Sequence, residues 1–353
     1  GHGLYPVGGR TALEIGLPPS KPGAACDTTA LAAVVDYPAR DMTITVQAGV
    51  TVAALRAELA KEGQWLPIDV AAHDRATLGG AVAVNASGPR RLGYGTLRDY
   101  VIGISLVTDD GAEVKAGGRV VKNVAGYDLM KLQIGALGTL GVVTQLTLKV
   151  RPKPEASAAV AFGCRPAALG AVLDRFAASK TRPVAVELLS SALWREIRPD
   201  LPVTDEWAVV VGFEETAAAV KWQVAALLDE LKLAPVRDVM GLADTSVLDA
   251  ITALQLRPES RFIGKRSVLP SRLAGAVQDL PAPLVHAHAL SGVIWQHGEA
   301  APDGSALRRC PTEQKTSLPV WGQPPAGWEL MRHVKKTLDP DNVFNPGRLF
   351  GDV

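Results

Sequence analysis

Hydrophobic and polar residues form regular patterns in the first part of the chain. Alternation over Met42–Ala48 predicts a strand. Thr51 follows as the N-cap of a helix. The apolar stripe of that helix consists of Val52, Leu55 and Leu59. Gly63 stands where a left-handed residue ends a helix, so the pattern predicts a strand–helix unit that closes there.

A β-hairpin is predicted next, with arms at Ile102–Thr108 and Ala112–Lys115. Asp109-Asp110-Gly111 separates the arms, and an Asp-Gly pair supplies the positive φ that a tight turn requires. A further strand is predicted over 142–150, where apolar and polar residues alternate.

The second part of the chain predicts strands and helices in the order β-α-β-β-α-β. In chain order these segments are Val160–Phe162, Leu169–Phe176, Val184–Leu188, Trp207–Phe213, Val220–Leu231 and Pro235–Val239. That order is the ferredoxin-like arrangement. More sheet is predicted over 262–269 and 284–295, and a helix from Trp328 that Asp339-Pro340 ends.

Length and composition predict a folded protein of more than one domain. The 353 residues exceed one ordinary core, and 47% are hydrophobic and 21% charged. Arg151-Pro152-Lys153-Pro154 reads as a stiff, exposed connector. We therefore expect domains at 1–151 and 155–327, with a final segment at 328–353.

Charge and cysteine usage exclude several classes of protein. A net charge of +1 without a concentrated basic run argues against nucleic-acid binding. Cys26, Cys164 and Cys310 are widely spaced, which favours a reducing cytoplasm and excludes an iron–sulfur cluster in this chain. No apolar run approaches the roughly 20 residues of a membrane span. The chain begins at Gly1 without a methionine or a signal peptide, so we expect an N-terminal piece to be missing or trimmed.

Glycine-rich loops remain once the common catalytic motifs are set aside. The stretch Gly93–Arg98 fails the dinucleotide fingerprint at its last glycine, and no phosphate-binding P-loop, zinc motif or nucleophile elbow occurs. Each glycine pair alone is typical of a turn. Four such regions in order, at 6–12, 77–88, 122–128 and 135–143, instead indicate backbone N–H groups that approach a pyrophosphate.

The strings Gly117–Leu129 and Gly138–Thr144 carry a family resemblance. They strongly resemble the FAD-linked oxidases of the vanillyl-alcohol oxidase and p-cresol methylhydroxylase (PCMH) superfamily. The stretches Gly88–Asp99 and Leu338–Arg348 favour a narrower resemblance to the smaller FAD-binding subunits of bacterial glycolate oxidases. The resemblance implies an α+β fold, with a two-subdomain PCMH-type FAD-binding domain and a ferredoxin-like α+β cap domain for the substrate. It also implies that 328–353 returns to the FAD domain.

The resemblance also implies which residues bind FAD. The residues at the pyrophosphate would be Val7, Gly8, Gly9, Arg10, Thr11 and Ala12. Those along the ribityl chain and flavin ring would be Thr77, Leu78, Gly79, Gly80, Asn85, Ser87 and Gly88. The adenine side would be flanked by Gly141, Val142 and Val143. Further cofactor-binding candidates are Pro67, Asp69, Arg90, Tyr94, Lys122, Asn123, Gly126, Tyr127 and Asn345.

Some of these candidates have plain alternatives. Lys122 and Arg90 also fit solvated surface charges, and Tyr127 also fits a packed aromatic side chain. Some relatives attach the flavin covalently through a histidine after the first glycine pair. Arg10-Thr11 holds that place here, so we expect non-covalent FAD.

Catalytic residues are poorly defined by the sequence. Related dehydrogenases carry H-A-G-x-G-x-x-H, whereas this chain has His288-Ala289-Leu290-Ser291-Gly292-Val293-Ile294-Trp295. One imidazole does not hold a metal alone, so no metal is expected. His286 and His288 share one face of a strand, which keeps His288 a candidate, and Arg266 is a candidate carboxylate clamp.

The resemblance implies a component of a glycolate (2-hydroxy-acid) oxidase or dehydrogenase complex that converts glycolate to glyoxylate. A sister FAD-binding subunit and an iron–sulfur subunit would be its partners, in the cytoplasm or peripheral to the inner face of the cell membrane. One alternative is a stand-alone FAD-linked dehydrogenase of D-lactate or another 2-hydroxy acid. Another is an FAD-binding assembly or electron-relay subunit without turnover of its own.

Overall fold

The computed structural model describes residues 1–118, 128–280 and 283–351. The chain divides into two compact units. The first comprises Gly1–Ser87, Thr96–Lys153 and Pro311–Val353, and the second comprises Gly88–Gly95 and Pro154–Cys310. The break at Lys153 falls inside the expected connector. The second unit also takes in a segment from the N-terminal half, and it ends at Cys310, earlier than the expected boundary at 327.

Strands occur throughout both units. In chain order they are β1 (Gly3–Val7), β2 (Gly23–Asp27), β3 (Val34–Asp36), β4 (Thr43–Gln47), β5 (Gln64–Trp65), β6 (Val101–Val107), β7 (Glu113–Gly117), β8 (Val142–Lys149), β9 (Arg151–Pro152), β10 (Ala156–Cys164), β11 (Ala185–Ser190), β12 (Trp207–Glu215), β13 (Val236–Leu242), β14 (Phe262–Ser267), β15 (Leu284–His288), β16 (Val293–Gly298) and β17 (Ala306–Arg309).

The α-helices are mostly short. In chain order they are α1 (Val52–Ala60), α2 (Leu78–Ala83), α3 (Arg91–Tyr94), α4 (Leu97–Tyr100), α5 (Met130–Gln133), α6 (Pro166–Ala178), α7 (Ser191–Ile197), α8 (Ala217–Leu231), α9 (Ser246–Ala253), α10 (Leu273–Gln278) and α11 (Trp328–Leu338). Within the described residues, none is both long and apolar enough to cross a lipid bilayer.

The first unit contains a five-stranded sheet of order β3-β4-β8-β6-β7 and a parallel pair, β1-β2. The predicted elements are confirmed here. The Thr51 hydroxyl accepts from the Ala54 N–H at the start of α1. Gly63 has φ +63° just after the helix. The β6–β7 hairpin turns at Gly111, whose φ is +80°.

The second unit contains an eight-stranded sheet of order β13-β10-β12-β11-β15-β16-β14-β17. Its first four strands, with α6 and α8, have the order 4-1-3-2 in chain sequence, so the predicted ferredoxin-like arrangement is confirmed. The stretch 284–295, predicted as further sheet, forms β15 and the start of β16 with a 3₁₀ turn between them. Gly292, at φ +65°, completes that turn, which strand alternation alone does not reveal.

Both faces of the second unit's sheet carry buried apolar clusters. Helices α6, α8 and α10 contribute to the cluster on one face, together with Ala287 and Ile294 of the sheet. Helices α7 and α9 contribute to the cluster that includes Ala185 and Leu189. Polar and aromatic side chains, instead of this second cluster, occupy the same face of the sheet at β15, β16 and β14.

Candidate functional site

A loop of consecutive backbone donors follows β1. The N–H groups of Gly8, Gly9, Arg10, Thr11 and Ala12 donate to no other group among the described residues. Arg10 adopts φ +57°, a backbone reversal of the kind that turns successive N–H groups toward one side. Such unsatisfied donors are costly unless water or a ligand accepts from them. The loop is therefore suited to a phosphate-like anion.

Glycine is required in this loop because it packs closely on the segment before α2. A Cβ at Gly8 would lie 2.2 Å from Thr77 Oγ1, and one at Gly9 would lie 1.8 Å from the Arg75 carbonyl oxygen. Any larger residue would push the loop away from α2. Binding of a pyrophosphate by these donors stays a prediction, and the observed reason for the glycines is contact within the protein.

Helix α2 forms another wall. The Thr77 hydroxyl caps the helix by accepting from the Gly80 N–H at 3.2 Å. A Cβ on Gly80 would meet Thr77 Oγ1 at 3.1 Å and no other described atom within 4 Å. The open side of Gly80 faces space that a cofactor can occupy.

The C-terminal segment packs against the same part of the unit. Asn345 Nδ2 donates to the Leu137 carbonyl at 2.7 Å, and Asn345 N–H donates to the Leu4 carbonyl at 2.9 Å. Arg348 donates to the carbonyls of Leu13, Ile15 and Leu17. Burial lowers the pKa of Arg348. These bonds fix the loops before and after the donor segment.

A buried ion pair holds the C-terminal segment in place. Lys335 and Asp339 pair with 1% and 0% of their side chains exposed. Lys335 also donates to the carbonyls of Thr139 and Phe344, and the Asp339 carboxylate accepts from the N–H groups of Val343 and Phe344. Lys335 was not predicted from the sequence, because a lysine on a surface-type helix gives no signal that it is buried.

These elements enclose a cleft of about 320 Å³ within the first unit. Its charged lining residues are Arg10 and Arg348, and no acidic side chain among the described residues lines it. The residues that line it are Tyr5, Pro6, Val7, Gly8, Gly9, Arg10, Thr11, Ala12, Leu13, Ile15, Pro19, Thr77, Gly80, Ala83, Val84, Leu137, Asn345 and Arg348. Its size is at the low end for ligand sites, so it fits the pyrophosphate region of a dinucleotide rather than a whole one.

The structure brings together part of the predicted set. Val7, Gly8, Gly9, Arg10, Thr11, Ala12, Thr77, Gly80 and Asn345 line the cleft. Tyr5, Leu137 and Arg348 line it without having been predicted; Arg348 stands at the end of the recognised Asn-Pro-Gly-Arg motif, which was the available signal.

Other predicted residues of the first unit are not among those that line the cleft. They are Pro67, Asp69, Leu78, Gly79, Asn85, Ser87, Gly141, Val142 and Val143. Leu78 is buried in the core, and a Cβ at Gly79 would lie 2.9 Å from the Ala48 Cβ, so these two serve packing. Asn85 has φ +49° and a buried Oδ1 without a described donor, which suits a donor from a bound cofactor.

Four predicted cofactor residues lie outside the described residues: Lys122, Asn123, Gly126 and Tyr127.

Gly88, Arg90 and Tyr94 belong to the second unit. The Arg90 side chain is 8% exposed and donates to Glu214 at 2.8 Å, Asp249 at 3.2 Å and Thr245 at 3.2 Å. Neither the expected role at FAD nor the alternative of a solvated surface charge describes these contacts. The buried network anchors the segment 88–95 to β12 and α9 within the second unit.

The histidine pattern lies on one face of the second unit's sheet. His288 Nδ1 lies 2.7 Å from Glu187 Oε2, and both side chains are almost completely buried. His286 Nδ1 lies 3.1 Å from His297 Nε2, and burial lowers the pKa of His286 well below its usual value. No three His, Cys, Asp or Glu side chains among the described residues come together as metal ligands.

The two catalytic candidates, Arg266 and His288, lie on opposite faces of the sheet. Arg266 pairs with Ile294, and Ile294 pairs with Ala287, so these share the face packed by α10. His288 lies on the opposite face. Arg266 lines a cleft of about 530 Å³ with the carboxylates Asp279, Glu299 and Asp303, which is unfavourable for clamping an anion.

Comparison with known proteins extends these observations. Residues 1–117 match the family described as FAD binding domain, and residues 321–349 match the C-terminal domain of FAD linked oxidases. The glycolate oxidase subunit GlcE of Escherichia coli (strain K12) is 29% identical over 94% of this chain and 88% of its own. The D-lactate dehydrogenase of Archaeoglobus fulgidus is 27% identical over 98% of this chain and 85% of its own.

Among solved structures, an alkyldihydroxyacetonephosphate synthase superposes with a TM-score of 0.70 at 19% identity. The superposition covers 97% of this chain and 71% of that one. At this identity the likeness shows the fold alone.

The donor loop, the cleft and the matched segments define a flavin-nucleotide-binding protein. Residues 1–117 and 321–349 thus resemble the FAD-binding and C-terminal domains of FAD-linked oxidases, and FAD is the cofactor of this chain.

Proposed function

We propose that this FAD-dependent oxidoreductase oxidises a small 2-hydroxy acid, glycolate in the first place, to the corresponding 2-oxo acid. The observation that carries the proposal is the run of unsatisfied N–H donors at Gly8–Ala12 in a cleft without acidic side chains. The glycolate oxidase subunit that matches nearly the whole chain supports the choice of substrate class.

The residues present suit FAD by their chemistry. The N–H groups of Gly8–Ala12 can donate to a pyrophosphate, and Arg10 and Arg348 of the same cleft add positive charge. Gly80 leaves the wall of α2 open, and Asn345 and Arg348 hold the surrounding loops. A bound FAD would supply the acceptor for the hydride of the carbon that bears the hydroxyl group. The loop offers Arg10 and Thr11 but no histidine, so we propose that binding is non-covalent.

We further propose that the chain works within a complex, since the relative above is named a subunit of glycolate oxidase. A sister FAD-binding subunit and an iron–sulfur subunit are the proposed partners. The chain itself offers no cysteine cluster: among its described residues Cys26, Cys164 and Cys310 are separate free thiols. Electrons from the flavin therefore require an acceptor outside this chain.

The test is anaerobic reduction of the protein-bound flavin. The complex purified through a tag on this chain should lose its visible flavin absorbance when glycolate is added. Preparations of the chain alone, loaded with FAD, show whether it turns over substrate without partners. If neither preparation is bleached by glycolate or D-lactate, the proposed function is wrong and an FAD-binding assembly or relay role replaces it.

D-Lactate is the second candidate substrate. The D-lactate dehydrogenase that aligns with 98% of this chain is the observation that favours it. Faster bleaching by D-lactate than by glycolate in the isolated chain would select this alternative.

A further inference from the structure

Lys265 on β14 and Arg308 on β17 are cations of the second unit without an anionic partner among the described residues. The side chain of neither forms a hydrogen bond or an ion pair with any described residue. Both side chains are partly buried. Buried cations in proteins are usually paired with a carboxylate, because an unpaired charge is costly to remove from water.

Strand register places Lys265 beside the histidines. Lys265 pairs with Trp295, and Trp295 pairs with His286, so the three side chains share one face of the sheet. This is the face opposite Arg266. The sequence predicts Arg266 as a carboxylate clamp, whereas strand register places Lys265 on the face of the histidines.

Arg308 lies at a β-bulge in β17. Arg309 pairs with Ile263 and Leu307 pairs with Gly264, so Arg308 is the extra residue that has no partner on β14. Bulges of this kind redirect a side chain and are frequent next to active sites. Arg308 acts electrostatically on Lys265, and so does Arg91 of the same unit.

Aromatic and polar groups surround Lys265. Lys265 Nζ lies 5.4 Å from the centre of the Trp295 ring, and Trp295 stacks on His286 with ring centres 5.7 Å apart. Trp295 Nε1 and His286 Nε2 are buried and have no hydrogen-bond partner among the described residues. A buried donor such as Trp295 Nε1–H usually has an acceptor.

The pKa values of both cations are lowered. Burial, followed by Arg308 and Arg91, lowers the pKa of Lys265 to about 7. Burial lowers the pKa of Arg308 to about 10. The buried acid on this face, Glu187, pairs with His288, and no described carboxylate forms an ion pair with Lys265 or Arg308, which leaves room for an anionic ligand.

We propose that the second unit binds a small organic carboxylate at Lys265 and Arg308, with its carbon skeleton against Trp295. The Arg308 guanidinium provides a planar fork for the carboxylate, and Lys265 provides a second positive charge. Trp295 Nε1–H is available to the remaining polar group of the acid. Since only residues of the second unit are involved, the proposal can fail independently of FAD binding.

Oxalate, a small dicarboxylate, is the probe. Calorimetric titration of the FAD-loaded full chain at pH 6.5 should show saturable binding, and Lys265→Gln or Arg308→Gln should weaken it by at least about tenfold. Arg266→Gln is the matched control, because it removes the neighbouring cation on the opposite face. It should leave the oxalate affinity unchanged.

Several outcomes would overturn the proposal: no oxalate binding to the wild type, equal binding in Lys265→Gln, or loss of binding in Arg266→Gln alone. Titration with inorganic phosphate separates a carboxylate site from a general anion site, and binding of phosphate as tight as that of oxalate would also contradict it. Circular dichroism of each variant shows whether the fold is retained. If Lys265→Gln unfolds, Lys265→Met under the same titration takes its place.

Discussion

The two units differ in the groups that are proposed to bind anions. The first unit offers backbone N–H groups at Gly8–Ala12, where the glycines pack closely against Arg75 and Thr77. The second unit offers side-chain cations, Lys265 and Arg308, on a sheet face. A main-chain site depends on loop geometry and tolerates no added Cβ, whereas a side-chain site depends on strand register and responds to pH. Substitutions should therefore act differently in the two units.

The largest expected effect is that of Gly80→Val. The branched side chain would project from α2 into the cleft, where a Cβ meets only Thr77 Oγ1 among the described atoms. We expect FAD affinity to fall by roughly 100-fold, in line with about 1–3 kcal/mol for overpacking a site. Flavin fluorescence on dilution measures the loss.

Gly241→Val is the matched control for that substitution. Gly241 lies on β13 of the second unit, and a Cβ there meets no described atom within 4 Å. It should retain FAD fully. Full occupancy of FAD in Gly80→Val would argue against the cleft as the cofactor site.

Lys335→Met should destabilise the first unit. The substitution removes one partner of a buried ion pair and leaves the Asp339 carboxylate uncompensated. Breaking such a pair costs about 3–5 kcal/mol, so the thermal midpoint of this unit should fall. Lys336→Met, on the same helix, is the control and should have little effect. An unchanged midpoint in Lys335→Met would mean that the pair does not hold the C-terminal segment.

Oxalate binding should weaken as pH rises through about 7. Lys265 loses its proton there, whereas Arg308 stays charged below about 10, and His297, with a pKa of about 4, stays neutral. His286 also stays neutral, and His288, Glu187 and Arg91 complete the nearby titratable groups. We expect a loss of roughly 30-fold between pH 6 and 8.5, because binding is linked to the one proton of Lys265. Lys265→Gln should remove the dependence.

The free energy of unfolding should rise with pH because of Lys265, whereas oxalate affinity should fall. The folded pKa of Lys265 is below its usual 10.5, so between pH 7 and 10.5 the unfolded chain binds the proton more tightly. Its contribution therefore raises the free energy of unfolding as pH increases through that window. A wild-type minus Lys265→Gln difference that falls with pH would contradict the assignment.

Thr77→Ala should have the smallest effect. Loss of the cap on α2 costs about 1 kcal/mol and loosens the wall that Gly8 contacts. FAD affinity should fall about fivefold, and Thr77→Ser should restore most of it, because serine keeps the accepting hydroxyl. Equal affinity in all three proteins would show that the cap does not support the cleft.

Local signals predicted the elements well. Thr51 as a cap, Gly63 as a helix end and the Asp-Gly turn before Gly111 all act within a few residues, so the sequence reveals them directly. The order of the ferredoxin-like strands followed from the pattern of alternating elements. In each case the local sequence was enough to predict the element.

Contacts between distant segments were not visible in the same way. Arg90 looked like a flavin-loop residue or a surface charge, yet its partners Glu214 and Asp249 are far away in sequence. Lys335 is buried by contacts to Thr139 and Phe344. Such charges take their role from tertiary packing, which a local pattern does not encode.

Strand register determines which of two adjacent cations, Lys265 or Arg266, shares a face with the histidines. Arg266 and Lys265 are adjacent, and the sequence does not show which of them shares a face with His288. Pairing of β14 with β16, and of β16 with β15, settles the faces, and the bulge at Arg308 has no sequence signature of its own. A one-residue shift in register exchanges every side chain between the faces.

Binding of FAD through main-chain donors of the first unit is tested most directly by a crystal structure of the FAD complex. We expect pyrophosphate oxygens within hydrogen-bonding distance, roughly 3 Å, of backbone nitrogens in Gly8–Ala12. A pyrophosphate bound elsewhere, with those N–H groups bonded to water alone, would contradict it.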